Sequence, residues 1–391
     1  MNLVCTLDYE SGTVVADILL RQEGDTRVVA TVKPRAALPG FIKGACHLES
    51  IAGSSPLLLR RTEIAVTGQT HDGRRSELEA VLGQAELDAP LLPGDAELVT
   101  VRASLTGVPF DHRVNSRFSV SIGGYRASVA PRQQERISHV LEIADVPYRE
   151  ARPLIDLVDS LCRLCSFATG LRTDFAVSEV QHQGTTAHLA LWRTDALRGG
   201  VGPVLYRLSA PDEITAFLDH CLPRYQARAQ VFPMNNLINI GLLAKTTNYL
   251  ENKALLMANF LEVIRYNYAL KVGVPRGFLS QSRDNFRWVS GAQTGQRATF
   301  ADILEHFFVA EGITGWTTDF TDLRNEIVHT GAVEGSFETQ VRRYLDLHHF
   351  CDRIILALLE WDQTGEHYIP INETAHPDPN TFGNNWVKFV R

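Results

Sequence analysis

The spacing of apolar residues changes its period along the chain, and that change constrains the fold more than any other feature. In the first third, short stretches rich in β-branched residues recur at 12–20, 27–32, 61–66, 97–105 and 117–122, with 136–143 as a last strand. Turn signals separate them, among them Glu23-Gly24-Asp25, Leu38-Pro39-Gly40 and Leu92-Pro93-Gly94. Short strands punctuated by Gly and Pro predict an antiparallel sandwich or barrel. In the last third the apolar residues recur at helical spacing. Residues 237–271 read as one long amphipathic helix ended by Gly273 and Pro275, 300–308 and 319–329 as shorter helices, and Ser336 caps a final helix over 337–361. Between these regions, 150–168 reads as helix with Gly170 as its C-cap, 173–180 and 186–192 as paired strands, and 212–225 as helix. The predicted class is α+β in three parts: an N-terminal antiparallel β-rich domain over 1–145, a small mixed α/β module over 146–232, and a C-terminal all-α helical bundle over 233–391.

Composition narrows the function classes. Hydrophobic residues make up 45% of the chain, enough for real cores, and the formal net charge of −7 gives no global pull on nucleic acid. RNA binding would therefore need a local basic patch. Six Cys in 391 residues are too sparse for a disulfide framework, and the one CxxC, Cys162 and Cys165, lies in an apolar helical run and reads as core. His47, His71, His182, His188 and His220 are scattered without metal-ligand spacing, so no metal and no cofactor are expected. Phosphate-loop, HExxH, GxSxG and dinucleotide-binding signatures are absent from the sequence. The opening residues reach Asp8 and Glu10 without a basic start or apolar core, and the apolar run 354–359 is too short for a bilayer. A cytoplasmic, thiol-reduced protein without membrane contact is expected.

One stretch carries chemistry: Leu323-Arg324-Asn325-Glu326-Ile327-Val328-His329-Thr330-Gly331. Arg, four residues, then His is weak by itself, since about one such spacing is expected by chance here. Arg343 and His348 share it. Context separates the two. A polar Asn follows Arg324 directly, Ile327 and Val328 precede His329, the helix buries Phe320, Leu323 and Ile327, and Gly331 stops it before the long final helix. Residues five apart on a helix are turned by about 140 degrees, so Arg324 and His329 flank a groove that a second protomer could complete. The bland reading pairs Arg324 with Asp322 or Glu326 on the helix surface and leaves His329 to complement the helix dipole.

With this context the last 150 or so residues resemble the HEPN superfamily of nucleotide-binding and ribonuclease domains, and their layout is similar to its ApeA-like branch. The resemblance implies a homodimeric, metal-independent endoribonuclease whose motifs face each other, acting on RNA, with tRNA as one candidate. It implies a role in defence against phage by abortive infection, with a phage-derived trigger sensed by the N-terminal region. Arg324 is then the phosphate clamp, His329 the general acid or base, and Asn325 orients the His or the phosphate. Arg342, Arg343 and His348 could extend the phosphate site or form a solvated helix face. Arg283 and Arg287, interleaved with Phe286 and Trp288 and near Arg276 and Arg297, could bind unpaired bases, the two aromatics serving equally well as core anchors. Glu262, set among apolar residues, needs a partner, and Arg324 is one candidate. The alternative function is a non-catalytic HEPN-like module that binds RNA or protein.

Overall fold

In the computed structural model the described residues are 1–9, 12–23, 27–36, 46–51, 57–60, 62–72, 75–82, 84–107, 117–132, 138–170, 172–192, 211–247, 249–283, 285–291 and 293–361. The fold is mixed α+β, with an antiparallel β-rich N-terminal region and, among the described residues, seven helices. It divides into two compact units, Met1–Cys162 with Thr173–Ala196, and Arg163–Arg172 with Leu197–Arg391.

The first unit opens with β1 (Asn2–Tyr9), β2 (Gly12–Glu23), β3 (Arg27–Pro34), β4 (Cys46–Ser50), β5 (Leu58–Leu59), β6 (Thr62–Asp72), β7 (Arg75–Leu82) and β8 (Gln84–Asp88). Six of these close into a barrel in the order β1-β2-β3-β7-β6-β4, β4 pairing back onto β1. Alternate residues point inward, such as Cys5 and Leu7 on β1, Val28 and Ala30 on β3, and Leu78 and Ala80 on β7. Closure leaves the barrel without a free edge.

The chain continues through β9 (Leu98–Thr106), β10 (Phe118–Ile122), β11 (Tyr125–Pro131), β12 (His139–Pro147), α1 (Tyr148–Thr169), β13 (Asp174–His182) and β14 (Thr185–Trp192). These strands, with β8 and β5, form an eight-stranded antiparallel sheet in the order β10-β11-β12-β9-β13-β14-β8-β5. Leu59 of β5 and Leu87 of β8 share one core with the barrel interior. The hairpin at 174–192, expected in a separate middle module, belongs to this sheet. β13 pairs with β9 over residues 100–106, and β14 pairs with β8, contacts far apart in sequence that local spacing does not encode. Cys162 and Cys165 are buried in α1, in keeping with a packing role.

The second unit holds α2 (Pro211–Ala229), α3 (Met234–Thr246), α4 (Leu250–Tyr268), a π-helical turn at Ala269–Gly273, strands β15 (Leu279–Ser282), β16 (Asn285–Trp288) and β17 (Arg297–Ala298), then α5 (Phe300–Ala310), α6 (Thr318–Thr330) and α7 (Phe337–Leu358). α4 packs against α3, α5, α6 and α7, and α2 packs against α3 and α7. α2 thus packs with the later helices in this unit. The single helix expected over 237–271 is two. Thr247 turns extended at the end of α3. The Thr246 hydroxyl donates back to the Leu242 and Leu243 carbonyls, a local bond that competes with helix continuation. Lys253 from α4 then donates to the Ala244 and Lys245 carbonyls at 3.1 and 3.0 Å, closing the end of α3. The last helix is as expected, with Ser336 accepting from the Thr339 N–H. The β15–β17 sheet was not anticipated. Its strands are two to four residues long, too short for a period-2 pattern to show.

Candidate functional site

The motif sits on α6. Phe320, Leu323 and Ile327 fall on one face and are buried, and Gly331 ends the helix in the left-handed region at φ 73, its N–H donating to the Ile327 carbonyl. Arg324 and Asn325 are half-buried beside that face, while Val328, His329 and Thr330 are exposed on the last turn.

Arg324 is held on three sides. Its Nη2 donates to Glu262 Oε1 on α4 at 2.6 Å, its Nη1 to Asn325 Oδ1 at 2.9 Å, and its guanidinium lies over the Phe300 ring of α5 at 5.3 Å. Its Nε is buried without a hydrogen-bond partner. The side chain is 23% exposed, so the group is fixed in place yet reachable. Glu262 also accepts from Arg265 Nε at 2.8 Å through its other oxygen. Two cations on one carboxylate leave the trio with a surplus positive charge, which suits a phosphate. Asn325 is therefore turned to Arg324. His329 stands on the surface with no hydrogen bond or ion pair among the described residues.

Arg265 is the member of this cluster that sequence reasoning missed, as is Phe300 beneath the guanidinium. The signal for Arg265 was its i,i+3 spacing from Glu262, which sits in the otherwise apolar run 260–264.

The other sequence candidates scatter. Arg343, one of the residues that could extend the phosphate site, is engaged within the protein. Its Nε donates to Asp319 at 3.0 Å, and its Nη1 and Nη2 donate to Glu326 at 2.8 and 3.0 Å, with the side chain 15% exposed. Those bonds hold the Glu326 carboxyl below the usual carboxylate range. His348 lies inside the core. It is 0% exposed, neither ring nitrogen has a hydrogen-bond partner, and burial pushes its pKa down to about 3 despite Asp352 at 3.6 Å. Arg342 is exposed on the same helix. Arg283 and Arg287 are exposed too, but Phe286 and Trp288 are buried against Tyr266, Phe278 and His306, so the two aromatics are core anchors and not a stacking platform. Among the described residues no group of three or more His, Cys, Asp or Glu is placed to hold a metal ion, and no helix is long and apolar enough to cross a membrane.

Searched against family models, characterised proteins and solved structures, the chain matches none of them.

Proposed function

We propose that the chain is a metal-independent endoribonuclease of HEPN type, built on a C-terminal helical bundle that dimerises and brings two α6 motifs together. The observation that carries this reading is the setting of Arg324: a half-buried guanidinium fixed by Glu262, Asn325 and Phe300, five residues along α6 from an unencumbered His329. In the reaction a His takes the ribose 2′-OH proton as that oxygen attacks phosphorus, and a His returns a proton to the departing 5′ oxygen. Arg324 neutralises the charge that builds on the phosphoryl oxygens. The products carry a 2′,3′-cyclic phosphate and a 5′-OH. On this reading the β-rich unit senses a trigger of phage origin and restrains an activity that would otherwise be toxic, in a cytoplasmic defence by abortive infection with tRNA as one substrate class.

A second reading, a non-catalytic HEPN-like module that binds RNA or protein, draws on the same geometry. Two of the Arg324 donors are already taken by Glu262 and Asn325.

Cleavage of total cellular RNA in EDTA separates the two. Wild type should cut, and Arg324→Ala and His329→Ala should both be folded and at least 100-fold slower. Equal cutting by all three removes Arg324 and His329 from the mechanism. A dimer that binds RNA and leaves it intact, with and without phage infection of the host cell, selects the second reading.

A further inference from the structure

The β15–β17 sheet and its flanking turns carry a charge that the cleavage reading does not use. Residues 271–297 hold five basic side chains, Lys271, Arg276, Arg283, Arg287 and Arg297, against one acidic, Asp284, a net charge of +4 inside a chain of net charge −7. All five basic residues are exposed. Strand alternation sorts this segment. On β16, Phe286 and Trp288 face the core while Asn285 and Arg287 face outward. Arg287 lies directly opposite Ser280 of β15 on one side and Arg297 of β17 on the other, so an outward row of Ser280, Arg287 and Arg297 crosses the sheet.

Like charges directly opposite each other on antiparallel strands work against the sheet by up to about 1 kcal/mol. Among the described residues neither guanidinium has an ion-pair partner. Arg287 Nη1 donates to the Gly295 carbonyl at 3.1 Å, which orients the group and leaves its other N–H donors open. Arg283 adds a further exposed cation at the β15–β16 turn, on a backbone with φ 54, and Arg276 another just before β15. A sheet that pairs two arginines with no ion-pair partner among the described residues would gain from an external anion.

We propose that this face docks the sugar–phosphate backbone of RNA and feeds it to the α6 site. Guanidinium forks match phosphate oxygens in geometry, and the exposed Ser280, Ser282 and Asn285 supply hydroxyl and amide groups for ribose and phosphate. Because the aromatic side chains of β16 are turned inward, the face reads backbone charge and not base identity. An anionic bilayer fits less well, since among the described residues of 271–297 Val289 is the one exposed large apolar side chain, too little for a wedge. The choice of RNA over other polyanions rests on the ribonuclease reading.

The test is equilibrium binding of a fluorescently labelled single-stranded RNA to the full chain carrying His329→Ala, which removes cleavage, across a salt series. Adding Arg287→Gln and Arg297→Gln should weaken binding about tenfold and lower the slope of log affinity against log salt by about 1.4, since each phosphate contact on a single strand contributes about 0.7. Circular dichroism checks the fold, and Arg276→Gln with Arg283→Gln in the turns gives a second pair outside the strands. Unchanged affinity and slope in both pairs overturns the proposal, as does tighter binding to phosphatidylserine vesicles than to RNA. Failure of the two readings can be told apart. A chain that binds RNA through this face without ever cutting it loses the nuclease reading and keeps the docking face. A chain that cuts RNA with an unchanged KM in the arginine variants loses the docking face and keeps the nuclease.

Discussion

Replacing Arg343 with Met removes the clamp that joins α7 to both ends of the motif helix, and its cost can be worked from the contacts. Asp319 is 49% exposed, and an ion pair that open contributes about 0.2–1 kcal/mol. Glu326 is 20% exposed and takes a two-pronged bond from Arg343 at 2.8 and 3.0 Å. Without Arg343 it keeps the Glu334 backbone N–H at 3.0 Å and is otherwise left poorly solvated, a loss of about 2–3 kcal/mol. The sum is about 3 kcal/mol. With a urea slope of about 2 kcal/mol per molar, the unfolding midpoint falls by about 1.5 M. Tryptophan fluorescence reports the transition, because Trp316 packs 5.8 Å from Phe320 of α6 and 5.8 Å from Phe350 of α7. Arg324→Met should cost less, about 1 kcal/mol, because Glu262 keeps Arg265. The two arginines then separate cleanly: Arg343→Met loses stability, and on the proposed ribonuclease reading Arg324→Met loses cleavage while staying folded. A midpoint for Arg343→Met within about 0.3 M of wild type would refute the reasoning, showing that the clamp contributes nothing to the folded state.

Two further outcomes follow from single residues. His348 has a folded pKa near 3 against an ordinary value of 6.5, so the unfolded chain binds its proton first; stability is full above about pH 6.5 and declines as pH falls towards 3, by at most about 1.4 kcal/mol per pH unit. Urea midpoints at pH 7, 6 and 5 should fall more steeply in wild type than in His348→Leu, and parallel curves would show that His348 is not the titrating group. Gly331→Ala meets no atom within 4 Å of the new Cβ but must adopt φ 73, so its cost is backbone strain of about 1 kcal/mol, read as a lower thermal midpoint; no change would mean that the α6 terminus yields freely.

What could be read in advance, and what could not, follows from the range of the interactions. Amphipathic helices such as α1 and α7 declare themselves through neighbours three and four apart, and the caps at Gly331 and Ser336 mark the end of α6 and the start of α7. Strand pairing has no such local signature. That β4 closes onto β1, or that β13 lies along β9, is decided between residues tens of positions apart, and so the barrel and the eight-stranded sheet emerge only in three dimensions. The candidate site falls between these cases. Arg324 to His329 and Arg343 to His348 have identical spacing, and spacing cannot choose between them. The phase of each histidine against its own apolar stripe can. On α7, His348 lies seven residues after Val341, within about 20 degrees of it, and continues the buried run of Val341, Tyr344, Cys351 and Ile355. On α6, His329 lies nine residues after Phe320, turned about 180 degrees from it and away from Leu323 and Ile327. One histidine is therefore carried into the core, where burial suppresses its proton chemistry, and the other is carried to the surface, where a substrate or a second protomer can meet it. The helix phase was available in the sequence, and it assigns the two motifs opposite roles before any contact is measured.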